Sequence, residues 1–439
     1  MQRILIADTP AHSGEEVMIR GWVDIRRDHG KLVFLDVRDR SGKVQLVLLP
    51  GSDAIVSVAD VRSEFLVEIV GLVKDRPEKM RNSELPTGGI EIEAKTLRII
   101  GKPEVELPID VSQQDLGINL DTLLNNRTIA LRNVKVRAIF GIYSEVLRAY
   151  DEAMRSGGFT EIKTPKILGA ATEGGANFFK IRYFDRDAFL AQSPQFYKQA
   201  GMSAFERVFE IGTVFRAEPH FTTRHVNEFT GLDAEMGFID GMEDIMAEFE
   251  RTMKHIFKTV GESCVQELSL YGAAVPDDVA IPRIRLSDAE AILKKEYGKE
   301  LENHDIDSEG ERLICEYAKK TFGSDLVFLT HYPTNLRPFY SMPSPDDPVT
   351  TETFDLLFRG VEIASGGQRI HEPDMLTDNI RKFGLDPTDF KDYIDIFRYG
   401  APPHGGWGLG SERIVQKLLD LGSIKEAVLY PRDVKRLTP

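Results

Sequence analysis

Residues 17–100 contain five short stretches in which apolar and polar side chains alternate, and that repeat of two limits the fold more than any other feature. The stretches are VMIRGWVDI, KLVFLDVRD, KVQLVLL, FLVEIVGLVK and GIEIEAKTLRII, and the turn signals DHG, RSGK and PTGG fall among them. Alternation places successive side chains on opposite faces, so each stretch predicts a strand. Five short antiparallel strands in about a hundred residues suit a small closed barrel such as the OB-fold, which leaves no free edge. A five-stranded barrel with no ligand satisfies the same pattern.

Beyond the barrel the pattern changes. Pro103 and Pro108 flank a polar linker, taken as residues 104–130. A helix is then predicted with Val136, Ile139, Phe140, Tyr143, Val146, Leu147 and Tyr150 on one face, stopped by Gly157 and Gly158. A second helix is predicted from Met242 to about Gly261, with Asp240 as N-cap and Glu243 at the capping-box position. Strands follow in LVFLTHYP and in TETFDLLFRGVEIASGGQRIH, and their alternation favours an antiparallel sheet. Residues 265–325 read as a charged, helical, peripheral insertion. The expected organisation is α+β: a barrel over 1–103, the linker, and a catalytic-type domain over 131–439.

Composition narrows the function. The formal net charge of -15 argues against a surface that binds polyanions everywhere, yet residues 1–103 carry equal numbers of basic and acidic side chains. That end is the less repulsive one for a nucleic acid. Two cysteines, Cys264 and Cys315, are too few for a disulfide framework and point to a reducing cytoplasm. No apolar run approaches the ~18 residues a membrane span needs, and the N-terminus lacks the apolar core of a signal peptide.

The densest chemistry lies in VFRAEPHFTTRHVNEFTGLDAEM. It gathers Arg216, His220, Arg224 and His225 beside Glu218, Glu228, Asp233 and Glu235, so its ligand should carry both signs. The later GGWGLGSER lacks the Gly-Lys-Ser/Thr ending of a phosphate loop and the spacing of a dinucleotide fingerprint. Its glycines permit close approach by a flat ligand, and Arg413 follows in the first turn of a helix. A purely structural Gly-rich helix entry reads the same way.

In combination these segments resemble the class II aminoacyl-tRNA synthetases, and within them the aspartyl-tRNA synthetases of the compact archaeal and eukaryotic type. GGFTEIKTPKIL is similar to the first motif, which in that family builds a homodimer interface, here around Pro165. VFRAEPHFTTRHVNEF is similar to the second and GLGSER to the third. The barrel then corresponds to an anticodon-binding domain.

The resemblance implies that Arg216 and Arg413 are catalytic. It implies ATP contacts for Arg216, Glu218, Arg224, His225, Phe229, Glu362, Gly410 and Arg413, and magnesium ligands in Glu362, Ser365 and Asp355. Aspartate would meet Glu173, Ser193, Gln195, Lys198, Asp233, Ser365 and Arg369. A lone helical lysine is ordinarily a solvated surface residue; the motif and its arginine counterpart favour a pocket for Lys198. On the barrel, Arg26, His29, Phe34, Gln45, Pro77 and Glu91 match tRNA-contact positions, although Phe34 also fits a core. His29 and Pro77 match the relaxed type, which implies charging of tRNA(Asn) as well as tRNA(Asp) and hand-over to an amidotransferase. An asparaginyl enzyme, an ammonia-dependent asparagine synthetase and a non-catalytic RNA-binding protein are the alternatives.

Overall fold

The computed structural model describes residues 1–83, 85–169, 177–219 and 222–439. Its contacts divide into two units, Met1–Leu116 and Gly117–Pro439.

In the first unit β1 (Glu16–His29), β2 (Leu32–Arg38), β3 (Lys43–Leu48), β4 (Leu66–Asp75) and β5 (Ile90–Gly101) close into a barrel in the order β1-β2-β3-β5-β4. The alternating apolar residues fill it: Ile19, Val23, Leu35, Val37, Val44, Leu46, Ile69 and Ile92 are buried. The expectation of wholly antiparallel pairing fails at one seam, where β3 and β5 run parallel. An odd ring cannot alternate direction all the way round, so one parallel pair is unavoidable. The chain makes the required crossover through a short helix, Asp53–Ser57, whose N-cap Ser52 accepts the Ile55 N–H at 3.3 Å.

The second unit holds β6 (Thr160–Glu161), β7 (Ile167–Leu168), β8 (Lys180–Tyr183), β9 (Arg186–Leu190), β10 (Arg207–Phe215), β11 (Glu228–Gly237), β12 (Arg283–Arg285), β13 (Leu326–Thr330), β14 (Thr353–Phe358), β15 (Val361–Arg369) and β16 (His404–Gly410). Eight form one sheet in the order β12-β13-β14-β15-β16-β11-β10-β6, and β7-β9-β8 form a small second sheet. In the large sheet only the two outermost pairings are parallel; the six central strands are antiparallel, as their alternation predicts.

Helices Val134–Ser156 and Met242–Ser263 contribute Ile142, Val146, Tyr150, Met246, Phe249 and Met253 to the main core. Phe249 stacks on Trp407 with ring centroids 4.7 Å apart. The second helix departs from its expected cap: Gly241 is the N-cap, and Asp244 rather than Glu243 reaches back, its Oδ2 accepting the Asp240 N–H at 2.7 Å. Residues 265–325 are not only helical. They hold helices Val265–Tyr271, Leu286–Tyr297 and Ser308–Phe322, and also β12, whose apolar Ile284 joins a core with Val327, Leu329 and Leu357. Cys264 and Cys315 are buried free thiols. Among the described residues no helix is long and apolar enough to cross a membrane.

Candidate active site

Strands β11, β16 and β15 lie side by side at the middle of the large sheet, and glycine makes that closeness possible. A Cβ at Gly406 would lie 2.0 Å from the Ala234 carbonyl oxygen, and one at Gly366 2.4 Å from the Phe354 ring. The Gly-rich segment is therefore mostly strand, with the helix Ser411–Leu418 following Gly410. Asp233 pairs with Gly408, and Gly408 with Ser365 on the other side. Because Gly406, Gly408 and Gly410 put no side chain on this face of β16, the groups on β11 and β15 face one another across a trough.

One end of this trough is buried and already charge-paired. Lys198, only 1% exposed on the helix Gln195–Phe205, donates from Nζ to Asp233 Oδ1 at 3.0 Å and to the Trp407 carbonyl at 2.8 Å. Its Nζ also lies 3.6 Å from Glu235 Oε2. Arg369 donates Nε to Glu235 Oε1 at 3.1 Å and Nη2 to the Gly406 carbonyl at 3.1 Å. Burial opposes the Arg369 charge, but Glu235 outweighs it and holds the guanidinium above its ordinary value. Asp233 was expected to face a substrate ammonium; here its Oδ1 is occupied by Lys198. Beneath these groups Gln195 Nε2 donates to Gln199 Oε1 at 2.9 Å, Tyr393 donates its hydroxyl to the same oxygen at 2.8 Å, and Gln199 Nε2 lies 2.7 Å from His404 Nε2. Burial lowers His404 to about 4, so it is neutral, and its 3.0 Å contact with the Pro402 carbonyl puts the proton on Nδ1. Ser193 Oγ accepts the Gln195 N–H at 3.2 Å.

The other end is open. The Arg216 side chain is 50% exposed, 3.7 Å from Glu218 Oε1, with its guanidinium 5.6 Å from the Phe229 ring centre. His225 Nε2 lies 3.4 Å from Glu218 Oε2. Arg413 donates Nη1 to the Glu362 carbonyl at 2.6 Å, and Ser365 donates its hydroxyl to Glu362 Oε1 at 3.2 Å. Arg224 donates to Glu311 Oε2 at 2.9 Å. Burial and the neighbouring Glu362 charge push Glu311 up to about 7.

All these predicted residues of the second unit line one pocket, with Gly410 and Ser193. Glu173 lies outside the described residues. Asp355 does not line the pocket: Arg337 donates Nη2 to its Oδ2 at 2.7 Å, while among the described residues Oδ1 has no hydrogen-bond partner. It was expected among the metal ligands as a hard oxygen donor in the same segment as Glu362 and Ser365, but the Arg337 guanidinium pairs with it. Glu362 and Ser365 remain as adjacent oxygen donors facing the pocket. Among the described residues no three His, Cys, Asp or Glu side chains cluster as a metal site. Two protein oxygens suit a magnesium ion, which keeps several waters and takes further ligands from phosphates. Arg337, Tyr340 and Ser341 also line the pocket; their segment, LRPFYSM, carries no periodic or motif signal that would have pointed to them.

On the barrel, β1 presents Arg27 opposite Phe34. The His29 ring meets the half-buried Phe34 edge-on at 5.7 Å. Arg27 Nη2 reaches Gln45 Oε1 at 3.3 Å, and Gln45 Nε2 donates to Glu91 Oε2 at 3.1 Å. Phe34, Gln45, His29 and Glu91 thus share one outer surface, and Pro77 follows Arg76, whose Nε is 3.8 Å from Glu91. Arg26 is not among them. It points to the other face, where Nη1 donates to the carbonyls of Val58 and Val61 at 2.7 and 2.8 Å. Arg27 is the arginine of this surface, and counting by twos from His29 finds it.

Comparison with known proteins agrees with both units. A model of the OB-fold nucleic acid binding domain matches residues 17–100, and one of the class II tRNA synthetases (D, K and N) matches residues 119–434. The chain belongs to this class II family, and is accordingly an ATP-using aminoacyl-tRNA ligase. The aspartate–tRNA(Asp/Asn) ligase of Deinococcus radiodurans is 42% identical over 100% of this chain and 99% of its own. That of Aeropyrum pernix is 44% identical over 99% and 98%. The aspartate–tRNA(Asp) ligase of Pyrococcus abyssi is 42% identical over 97% of each. Among solved structures, the aspartyl-tRNA synthetase of Entamoeba histolytica superposes with a TM-score of 0.89 at 30% identity, over 100% of this chain and 93% of the other. The asparaginyl-tRNA synthetase of Pyrococcus horikoshii with asparaginyl-adenylate gives the same score and identity over 100% of both.

Proposed function

We propose that this chain is an aspartate–tRNA ligase: it activates L-aspartate with ATP to aspartyl-adenylate and pyrophosphate, then transfers aspartate to the 3′ end of tRNA(Asp) and of tRNA(Asn). The observation that carries the amino-acid assignment is the buried pair Lys198 and Arg369 at the closed end of the pocket. With Asp233 and Glu235 they already balance, two charges against two. A zwitterionic amino acid with a side-chain carboxylate brings one positive and two negative charges, so its extra anion must meet fixed donors. Lys198 and Arg369 are such donors; Gln195 and Ser193 lie beside Lys198, and Asp233 takes the ammonium by sharing its oxygens with Lys198. Glu173 is assigned to the ammonium as well. An uncharged amide would meet the same donors without the charge-assisted contacts that a carboxylate makes.

In the first step an α-carboxylate oxygen bonds to the α-phosphorus as the bond to pyrophosphate breaks, so two anions must approach. Arg216 holds both, and the half-exposed setting leaves its donors free to turn toward them. Arg224, His225 and Arg413 hold the remaining phosphates, Phe229 stacks on the adenine, Glu218 contacts its amino group, and Gly410 lets the nucleotide lie close. Glu362 and Ser365 would hold a magnesium ion, which neutralises triphosphate charge when bound. In the second step a hydroxyl of the terminal ribose displaces AMP. Phe34, with His29, Gln45 and Glu91 around it, supports anticodon binding by stacking and hydrogen bonding. His29 and Pro77 support the wider tRNA choice, with an amidotransferase as the next enzyme for Asp-tRNA(Asn). A second copy through the surface around Pro165 and a cytoplasmic setting complete the reading.

Pyrophosphate exchange run with aspartate and with asparagine tests it. Exchange with asparagine alone supports an asparaginyl enzyme, the reading favoured by the likeness to the Pyrococcus horikoshii structure. Charging purified tRNA(Asp) and tRNA(Asn) then tests the tRNA range; no aspartyl-tRNA(Asn) above background removes that half of the proposal.

A further inference from the structure

The helix Ser308–Phe322 begins with Asp307 as N-cap, its Oδ1 accepting the Gly310 N–H at 2.8 Å. Ser308 and Glu311 are three residues apart and so share a face in the first turn. Both reach the same guanidinium: Arg224 Nη1 donates to Ser308 Oγ at 2.6 Å and to Glu311 Oε2 at 2.9 Å, and Nη2 donates to the Gly360 carbonyl at 3.2 Å. The Glu311 side chain is 12% exposed, so this is no loose surface pair. The helix is itself held, with Leu313, Ile314 and Ala318 in a core shared with Val327, Leu329 and Leu357. Arg224 therefore takes its position from a packed element, although it stands in an irregular segment between β10 and β11. Both protons on Nη1 and one on Nη2 are committed. Among the described residues the Nε proton and the other Nη2 proton have no acceptor, and Arg224 lines the pocket with Arg413 and Glu362.

We propose that Glu311 is a positioning residue for ATP: with Ser308 and the Gly360 carbonyl it fixes Arg224 from behind, leaving the free N–H groups to meet triphosphate oxygens. This rests on the reading that Arg224 contacts the triphosphate. It also gives residues 265–325 a task in the reaction. A guanidinium held in advance loses little side-chain freedom when the phosphate arrives, and a charge-assisted contact is among the strongest available to it.

The test is aspartate-dependent pyrophosphate exchange on the full chain. Glu311→Ala should raise KM for ATP about tenfold, the loss of roughly one strong charge-assisted contact, while KM for aspartate stays within about twofold. Arg224→Ala should do the same. Adding Glu311→Ala to Arg224→Ala should change nothing further, because residues acting as a unit are not additive. Glu311→Gln, which keeps an acceptor and loses the charge, should fall between. If Glu311→Ala does not fold, Glu311→Gln and Ser308→Ala carry the test through the same ATP-selective rise. Equal rises for both substrates, no rise, or full additivity in the double variant would overturn the proposal. Failure of the reading beneath it looks different: Arg224→Ala would then leave KM for ATP unchanged.

Discussion

The two ends of one pocket solve the same problem, binding a charged group, by opposite means. At the closed end Lys198, Arg369, Asp233 and Glu235 are buried and charge-paired before any ligand arrives. At the open end Arg216 is half exposed, 3.7 Å from Glu218 and over the Phe229 ring. Desolvation explains the division. A buried cation must be paired at all times or it neutralises or unfolds its surroundings, so it can discriminate but cannot move. An exposed arginine needs no permanent partner, so it can turn from solvent to a phosphate and follow the charge that develops. The closed end therefore suits recognition of a small rigid ligand, and the open end suits a long flexible one.

The sharpest way to break the comparison is Lys198→Leu. It leaves Asp233 and Glu235 buried with one cation fewer, a change that costs roughly 3–5 kcal/mol at comparable sites. Aspartate-dependent exchange should fall about a thousandfold while KM for ATP moves less than about threefold, measured on protein shown to be folded. Unchanged activation would sink the pocket assignment. Arg216→Ala is the counterpart at the open end. Loss of one oriented donor to a developing oxyanion is worth about a hundred- to a thousandfold in rate, so kcat should fall by that much. Because Arg216 is half exposed, the unfolding temperature should hardly change; a large drop would show it to be a structural cation after all.

The third effect is a pH dependence belonging to the closed end. His404 is held at about 4 by burial, against about 6.5 when unfolded. Between those values the unfolded chain binds a proton that the folded chain does not, so stability falls as pH drops through that window, by up to about 3 kcal/mol. Glu311 acts oppositely, because its raised value of about 7 lets the folded chain hold the extra proton. The His404 share is isolated by difference: the stability gap between the unmodified protein and His404→Gln, from denaturant unfolding, should narrow from pH 7 to pH 5. A gap that stays constant would mean that His404 is not held neutral by its surroundings.

Much of this organisation was legible in order along the chain, because period-two alternation reports strands directly. What alternation could not report was closure: the parallel β3–β5 seam follows from ring topology, not from any residue. The closed end was legible in part. Lys198 and Arg369 are recognisable by motif, but their pairing with Asp233 and Glu235 depends on strand register across β11, β16 and β15, which no local pattern encodes. The pairing of Asp355 was hidden for the same reason, since Arg337 reaches it from a loop 18 residues away. Glu311 was invisible, lying 87 residues from Arg224 in a helix whose charges look like solvated ones.

The smallest expected effect concerns the barrel, where two neighbouring arginines are both paired but face opposite sides. Arg26 is committed: it donates to the Val58 and Val61 carbonyls and pairs with Asp28 at 3.0 Å, tying β1 to the segment after the short helix. Arg27 lies on the Phe34 face with Asp36 at 2.8 Å and Gln45 at 3.3 Å, all on one surface. Removing Arg27 should therefore raise KM for tRNA about tenfold, near the ~1.4 kcal/mol of one good polar contact, without altering exchange, which needs no tRNA. Arg26→Ala should do the reverse, lowering barrel stability while changing KM for tRNA mainly through the fraction folded. If the two variants weaken tRNA charging equally at matched stability, the division between a structural arginine and one on the tRNA-facing surface does not hold in this unit.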